Sequence, residues 1–163
     1  MAVVKSKGGP KKSENPNQFR VDEQIMEPGD YEVGPDDTFT INVYVRKEGG
    51  RWVVVTGPGK GVIHHEVVFR MWTYHERVEL RKKATKYDRI RRMHLIDNDA
   101  LNQLKVQKYM QSWTFERDNP RLKLHHVQGA LTDEGWMLFV KRLHPNIAIY
   151  IIDEMNRVYE SNG

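Results

Sequence analysis

Between residues 39 and 46 apolar and polar side chains alternate one for one. Phe39, Ile41, Val43 and Val45 are interleaved with Thr40, Asn42, Tyr44 and Arg46. A period of two marks a half-buried strand, because successive side chains leave opposite faces of an extended backbone. Glu48-Gly49-Gly50 supplies a turn, Arg51 to Thr56 reads as a second strand rich in apolar residues, Gly57 to Gly61 turns again, and Val62 to Met71 reads as a third strand. Residues 38–71 therefore predict a three-stranded antiparallel meander.

From Trp72 the apolar spacing changes to that of helices. Thr73 and Glu76 fit a capping box, in which a hydroxyl and a carboxylate satisfy orphan amides at a helix start. Leu80, Ala84 and Tyr87 follow at helical intervals, predicting a helix over 73–92 with a narrow apolar stripe. A second helix starts near Asp97 or Asn98, with the stripe Leu101, Leu104, Val106, Tyr109, Met110 and Trp113. A polar loop around Arg117–Pro120 leads to a third helix, capped by Thr132 and carrying Trp136, Phe139, Val140 and Leu143. His144-Pro145 breaks that helix. A fourth begins at the proline, which suits a first helical turn, and turns Ala148, Ile151, Ile152, Met155, Val158 and Tyr159 inward.

Ahead of the strands, residues 1–37 are punctuated by Gly8-Gly9-Pro10, Asn15-Pro16, Pro28-Gly29 and Gly34-Pro35, too polar and broken to form a core. They read as an extended, irregular arm on a single domain spanning 38–163. The expected fold class is α+β: a small antiparallel β-meander, then about four α-helices, with an extended N-terminal arm.

Charge changes this picture because it is segregated. The net charge is +4. Residues 76–92 hold eight Lys or Arg against three acids, and residues 1–20 hold five against one. Between them lie Asp22, Glu23, Glu27, Asp30, Glu32, Asp36 and Asp37 with no basic residue interposed. A nucleic-acid binder gains most from a uniformly positive field, whereas alternating blocks favour protein partners or other copies of the same chain. Nucleic acid stays open as the second reading, since basic residues near aromatics are the recipe for a single-strand grip, with Tyr44 beside Arg46 the expected exposed ring.

Catalytic signatures are sparse. With no cysteine there is no disulfide scaffold, Cys-based zinc site or Cys nucleophile, and the cysteine-free composition suits an intracellular site of synthesis. The N-terminal lysines lack the apolar run of a secretory signal, and no run approaches the roughly 18 residues of a membrane span. Gly57-Pro-Gly-Lys-Gly61 lacks phosphate-loop spacing and sits between strands, so it reads as a hairpin turn. His64-His65 point to opposite faces of a strand, and His64, Glu66 and His75 have no recognised ligand spacing. Asp36-Asp37 and Asp97-x-Asp99 read as turn and cap residues. The expectation is a protein that is not an enzyme and uses no cofactor or metal.

The second half of the chain resembles a known family. Trp72-Thr-Tyr-His-Glu-Arg77 followed by Arg81-Lys-Lys-Ala-Thr-Lys-Tyr-Asp88, then Met110-Gln-Ser-Trp-Thr114, Leu131-Thr-Asp-Glu134 and Ile151-Ile-Asp-Glu-Met-Asn156 resemble, in order, the small tail assembly chaperones and related tail-morphogenesis proteins of long-tailed bacteriophages. The resemblance covers about residues 72–160 and rests on packing and capping patterns. Such chaperones are often acidic and carry a frameshifted extension; this chain instead has a basic arm at its other end, which looks like a device for lacing subunits together. The resemblance implies a non-enzymatic virion protein of the tail, baseplate or neck, made in the host cytoplasm and acting through contacts with other phage structural proteins or with copies of itself; a transient tail assembly chaperone is the alternative. The binding residues expected are Lys5, Lys7, Lys11, Lys12 and Arg20 in the arm, and Arg81, Lys82, Lys86 and Arg89 on the basic helix.

Overall fold

The computed structural model describes residues 2–5 as strand backbone, and residues 31–34 and 36–161. It is α+β, built on an antiparallel sheet with helices packed against it. The central strand is β2 (Thr38–Glu48). One of its edges pairs along its whole first part with β4 (Val62–Arg70), from Thr38 opposite Arg70 to Arg46 opposite Val62. Its other edge is shared end to end by two strands. β1 (Ala2–Lys5) lies opposite residues 38–41, and β3 (Arg51–Val55) lies opposite residues 44–48. β7 (Met110–Trp113) extends the sheet beyond β4.

Two expectations change here. The start of the arm is not irregular, because Ala2–Lys5 is a strand of the body's own sheet. And because β3 and β4 flank β2 on opposite sides, the 57–61 loop does not join paired strands but carries the chain across the end of β2.

β2 is not the half-buried strand that its alternation predicts: Thr40, Asn42 and Tyr44 are buried as well, so both of its faces are covered. Phe39, Ile41, Val43, Val67 and Phe69 are fully buried against helical residues such as Val106, Tyr109, Ile151 and Met155. Phe39 stacks on Phe69 at 5.2 Å between ring centres, while Trp72 meets Phe39 edge-on at 5.3 Å and Tyr159 at 4.9 Å. Trp72 thus joins the sheet to the last helix. Burying each such large side chain stabilises the fold by roughly 1.5–3 kcal/mol.

The longer helices begin where the caps predict. Thr73 accepts from the amide of Glu76 at the start of α1 (Tyr74–Lys83), Asp97 from that of Ala100 at α2 (Asn98–Tyr109), and Thr132 from that of Gly135 at α4 (Asp133–Lys141). α5 (Pro145–Ser161) starts at its proline and buries Ile151, Met155, Val158 and Tyr159. The loop around residue 117 is tighter than expected: Phe115–Asp118 forms a one-turn helix, α3, and Pro120–Leu122 a 3-10 turn. A short hairpin, β8 (His126–Val127) with β9 (Ala130–Leu131), precedes α4. Val140, expected inward on α4, is largely exposed.

The helix expected over 73–92 is half that length. α1 ends at Lys83, and residues beyond it form a second hairpin, β5 (Thr85–Asp88) with β6 (Met93–Ile96). Leu80 and Ala84 are buried as the stripe required, but Tyr87 is 56% exposed. Two apolar side chains give a longer helix nothing further to bury, and local bonds then favour a turn. The Asp88 carboxylate accepts from the amides of Ile90 and Arg91, and Arg92 adopts a left-handed φ of 53°. The Asp97 amide donates to Ala84 O, closing the hairpin base directly onto the start of α2. The stripe assigned to α2 is likewise cut at Tyr109: Met110 and Trp113 are buried as expected, but as residues of β7 opposite Phe69 and Val67, with a register shift between.

Candidate interaction surface

The basic residues after Trp72 occupy one projection made of α1 and the β5–β6 hairpin. Arg81, Lys82, Lys86 and Arg89 are all exposed on it, together with Lys83, Arg91 and Arg92. Of the arm residues expected to bind, Lys5 ends β1, while Lys7, Lys11, Lys12 and Arg20 lie outside the described residues. The two halves of the expected binding set therefore sit on different elements, and only the α1–hairpin half forms a describable surface.

Sequence reasoning missed the tip of this projection. Ile90 is 95% exposed between Arg89, Arg91 and Arg92, with Met93 also exposed. Tyr87 packs edge-on against His94 across the hairpin, 5.2 Å between ring centres, and remains more than half exposed. Tyr74, 73% exposed, lies at the base, where Arg77, Val78, Arg81, Lys82, Thr85 and Ile96 enclose an open groove of about 340 Å³. The available signal was two short runs, Thr85–Asp88 and Met93–Ile96, around an Asp-led turn. Tyr44, expected as the exposed stacking ring, is instead buried and stacked on His64 at 4.7 Å. Among the described residues the exposed aromatics are Tyr74 and Tyr87 of the projection and Tyr31 ahead of the sheet.

Beneath α1 lies a polar set of which Lys105 is buried and the rest is partly covered. Glu76, in the first turn of the helix, takes a bond from Arg70 of β4 at 2.8 Å and lies 3.6 Å from Lys108 of α2. Burial alone would raise the Glu76 carboxyl, but the Arg70 hydrogen bond and charge, with Lys108, hold it below its ordinary value. On the other side of α1, the Tyr159 hydroxyl of α5 donates to Arg77 O at 3.2 Å, and the Arg77 guanidinium lies over the Tyr159 ring. Lys105 of α2 is 2% exposed; its ammonium donates to Asn156 Oδ1 at 2.7 Å and sits 3.7 Å from the centre of the Tyr159 ring. Burial pushes that ammonium down to about 8, against the attraction of Glu160 and helped by Arg77 and Arg81. At the hairpin base Lys86 bonds Asp97 at 2.9 Å, which raises the lysine and, with the Ala100 amide, lowers the aspartate. Exposed charge and buried support belong to one construction.

Known proteins add nothing to this surface: comparison with protein-family models, with curated proteins and with solved structures gives no match for this chain.

A hydroxyl, an imidazole and a carboxylate do come together elsewhere. His65, 5% exposed, has Nδ1 3.0 Å from Thr114 Oγ1 and Nε2 3.4 Å from Asp118, and its ring stacks on Phe115. The Thr114 oxygen also accepts from the Glu66 amide, so its proton is free to donate to Nδ1, which leaves Nε2–H facing Asp118. Burial lowers the His65 pKa, with Asp118 opposing. The trio ties β4 to the chain leaving β7, holding the far side of the sheet. Among the described residues no three His, Asp or Glu side chains are grouped to hold a metal ion, and no helix is long and apolar enough to cross a membrane.

Proposed function

We propose that this chain is a non-enzymatic protein of a bacteriophage tail, neck or baseplate that works by docking other structural proteins through the α1–hairpin projection. The observation that carries this reading is the tip: a 95% exposed isoleucine ringed by Arg89, Arg91 and Arg92 on a hairpin whose base carries the Lys86–Asp97 ion pair, next to a helix held by the partly buried Arg70–Glu76 pair. An apolar anchor inside a charged rim is the anatomy of a protein-contact hot spot, where the buried side chain supplies affinity and the surrounding charges supply rate and selectivity. The order of motifs from Trp72 to Asn156, which resembles tail-morphogenesis proteins, supports the particle in which such a contact would be used.

The test is complementation of a phage lacking this gene with Ile90→Ser and with Arg89→Glu/Arg91→Glu/Arg92→Glu. Both variants should remain folded and fail to yield tailed particles; normal tails from both would refute the docking role. Mass spectrometry of purified particles separates a retained component from a transient chaperone, which would be missing. A second reading, a nucleic-acid grip, draws on Tyr87 and Ile90 beside the same arginines, because exposed rings stack on bases and apolar tips can wedge between them. It requires DNA or RNA binding that weakens steeply across a salt series, and no binding at low salt removes it.

A further inference from the structure

The shared edge of β2 carries an inference about how copies of this chain join. β1 occupies the stretch opposite Thr38–Ile41, where β2 buries Phe39 and Ile41 completely. The backbone groups of β2 along that stretch need a strand partner, since unpaired amides and carbonyls beside a core are costly and an open edge invites pairing. α5 packs along the same edge, touching β1, β2 and β3, and its Tyr150 hydroxyl reaches Asn42 O where β1 stops and β3 has not begun. The slot is thus preformed on three sides: β2, the end of β3, and α5.

Its occupant is joined to β2 by a long stretch of chain. Residues 6–37 separate β1 from β2, where antiparallel neighbours are ordinarily joined by a few residues. A stretch of that many residues has a fully extended limit of roughly 100 Å, so a neighbour's slot lies within the length of chain available. Val3 and Val4 are β-branched and suit the strand in either slot. The contacts made are the same within one chain or between two, so concentration decides.

We propose that β1 is an exchangeable strand: in dilute solution it fills its own chain's slot, and wherever copies are held close together it fills the slot of a second copy, linking them into a chain. This partner is another copy of the same protein, distinct from whatever the hairpin tip docks, and the inference stands without the phage reading.

The cysteine-free sequence makes a clean test possible. Val3 stands opposite Thr40 in the register, whereas Val4 stands opposite Phe39, one position along the strand. Full-length Val3→Cys and full-length Thr40→Cys, distinguishable by mass, are mixed at about 50 µM and at about 1 mM and oxidised; the cross-linked pair should increase severalfold as a share of the protein, because pairing between copies rises with concentration while pairing within one chain does not. The double variant Val3→Cys/Thr40→Cys at the lower concentration should close within one chain, and Val4→Cys mixed with Thr40→Cys should link poorly at both. Absence of the Val3–Thr40 product at the higher concentration overturns the proposal, as does a Val4–Thr40 product of equal yield, which would mean random collision. Because this assay uses purified protein alone, its failure would leave the complementation result untouched.

Discussion

Lys105 is a charge held where water does not reach, and its cost can be measured directly. Its ammonium drops from 10.5 to about 8 in the folded chain. A lysine whose folded pKa is depressed penalises folding while both states are protonated. That penalty is released as pH rises from the folded value toward the unfolded one, because over that window the unfolded chain holds more protons. Between about pH 7 and pH 9.5 the release amounts to roughly 2 kcal/mol, since each tenfold change in proton affinity is worth about 1.4 kcal/mol. Lys105→Met removes the titration and keeps most of the volume, at the cost of leaving Asn156 Oδ1 without its donor. Urea unfolding of both proteins, followed by circular dichroism across that pH range, isolates the effect, since titrations elsewhere cancel in the difference. The wild-type chain should gain about 2 kcal/mol on the Met variant between the two ends. Staying at or below about pH 9.5 keeps the measurement clear of Tyr109, Tyr150 and Tyr159, all of which burial raises and which act in the opposite direction. Parallel curves for the two proteins would refute the buried-ammonium account.

Other consequences are as accessible. His65 has its pKa lowered from 6.5, so its stabilising neutral form is intact above that value and is lost as pH falls through the folded one. Asp118→Asn, which removes the main raising influence, should move the His65 titration seen by NMR further downward; an upward move would contradict the assigned contact. Gly135→Ala tests packing against propensity. A Cβ there would stand 2.4 Å from Leu131 Cδ1 and 2.7 Å from its Cγ, so the usual helical gain of about 1 kcal/mol should be cancelled or reversed, and a stabilised variant would show that Leu131 yields freely. Charge reversal at Arg89, Arg91 and Arg92 should change unfolding stability by no more than about 0.5 kcal/mol, because these exposed side chains support nothing beneath them. A larger loss would mean that the tip has a structural task.

How far the sequence reached depended on how many apolar positions each element carries. α5 was legible because Ile151, Met155, Val158 and Tyr159 repeat over a little more than two turns behind an initiating proline, and Thr73, Asp97 and Thr132 each cap a helix where expected. Where few apolar residues vote, pattern fails. Leu80 and Ala84 could not distinguish a long helix from a short one followed by a hairpin, and the Asx turn at Asp88 decided it. Met110 and Trp113 are three apart, a spacing that fits a helical stripe and, across a register shift, also the inward face of a short strand. The open edge of β4 selected the strand. β1 is four residues among glycines and lysines, and nothing local identifies its partner. In the candidate surface, Arg81, Lys82, Lys86 and Arg89 were legible as charge, but Ile90 was not, since a lone apolar residue among arginines has meaning only once it is known to crown a turn.

The end-to-end sharing of β2 also works as a ruler. Ala2 stands opposite Ile41 and Val55 opposite Tyr44, so an extension of β1 would run toward Val55 along the same edge. Whatever precedes Ala2 has to leave the sheet within the span of Asn42 and Val43, or push β3 aside. An affinity tag fused ahead of Ala2 is consequently not a neutral handle, because it starts in a space of fixed size beside Tyr150.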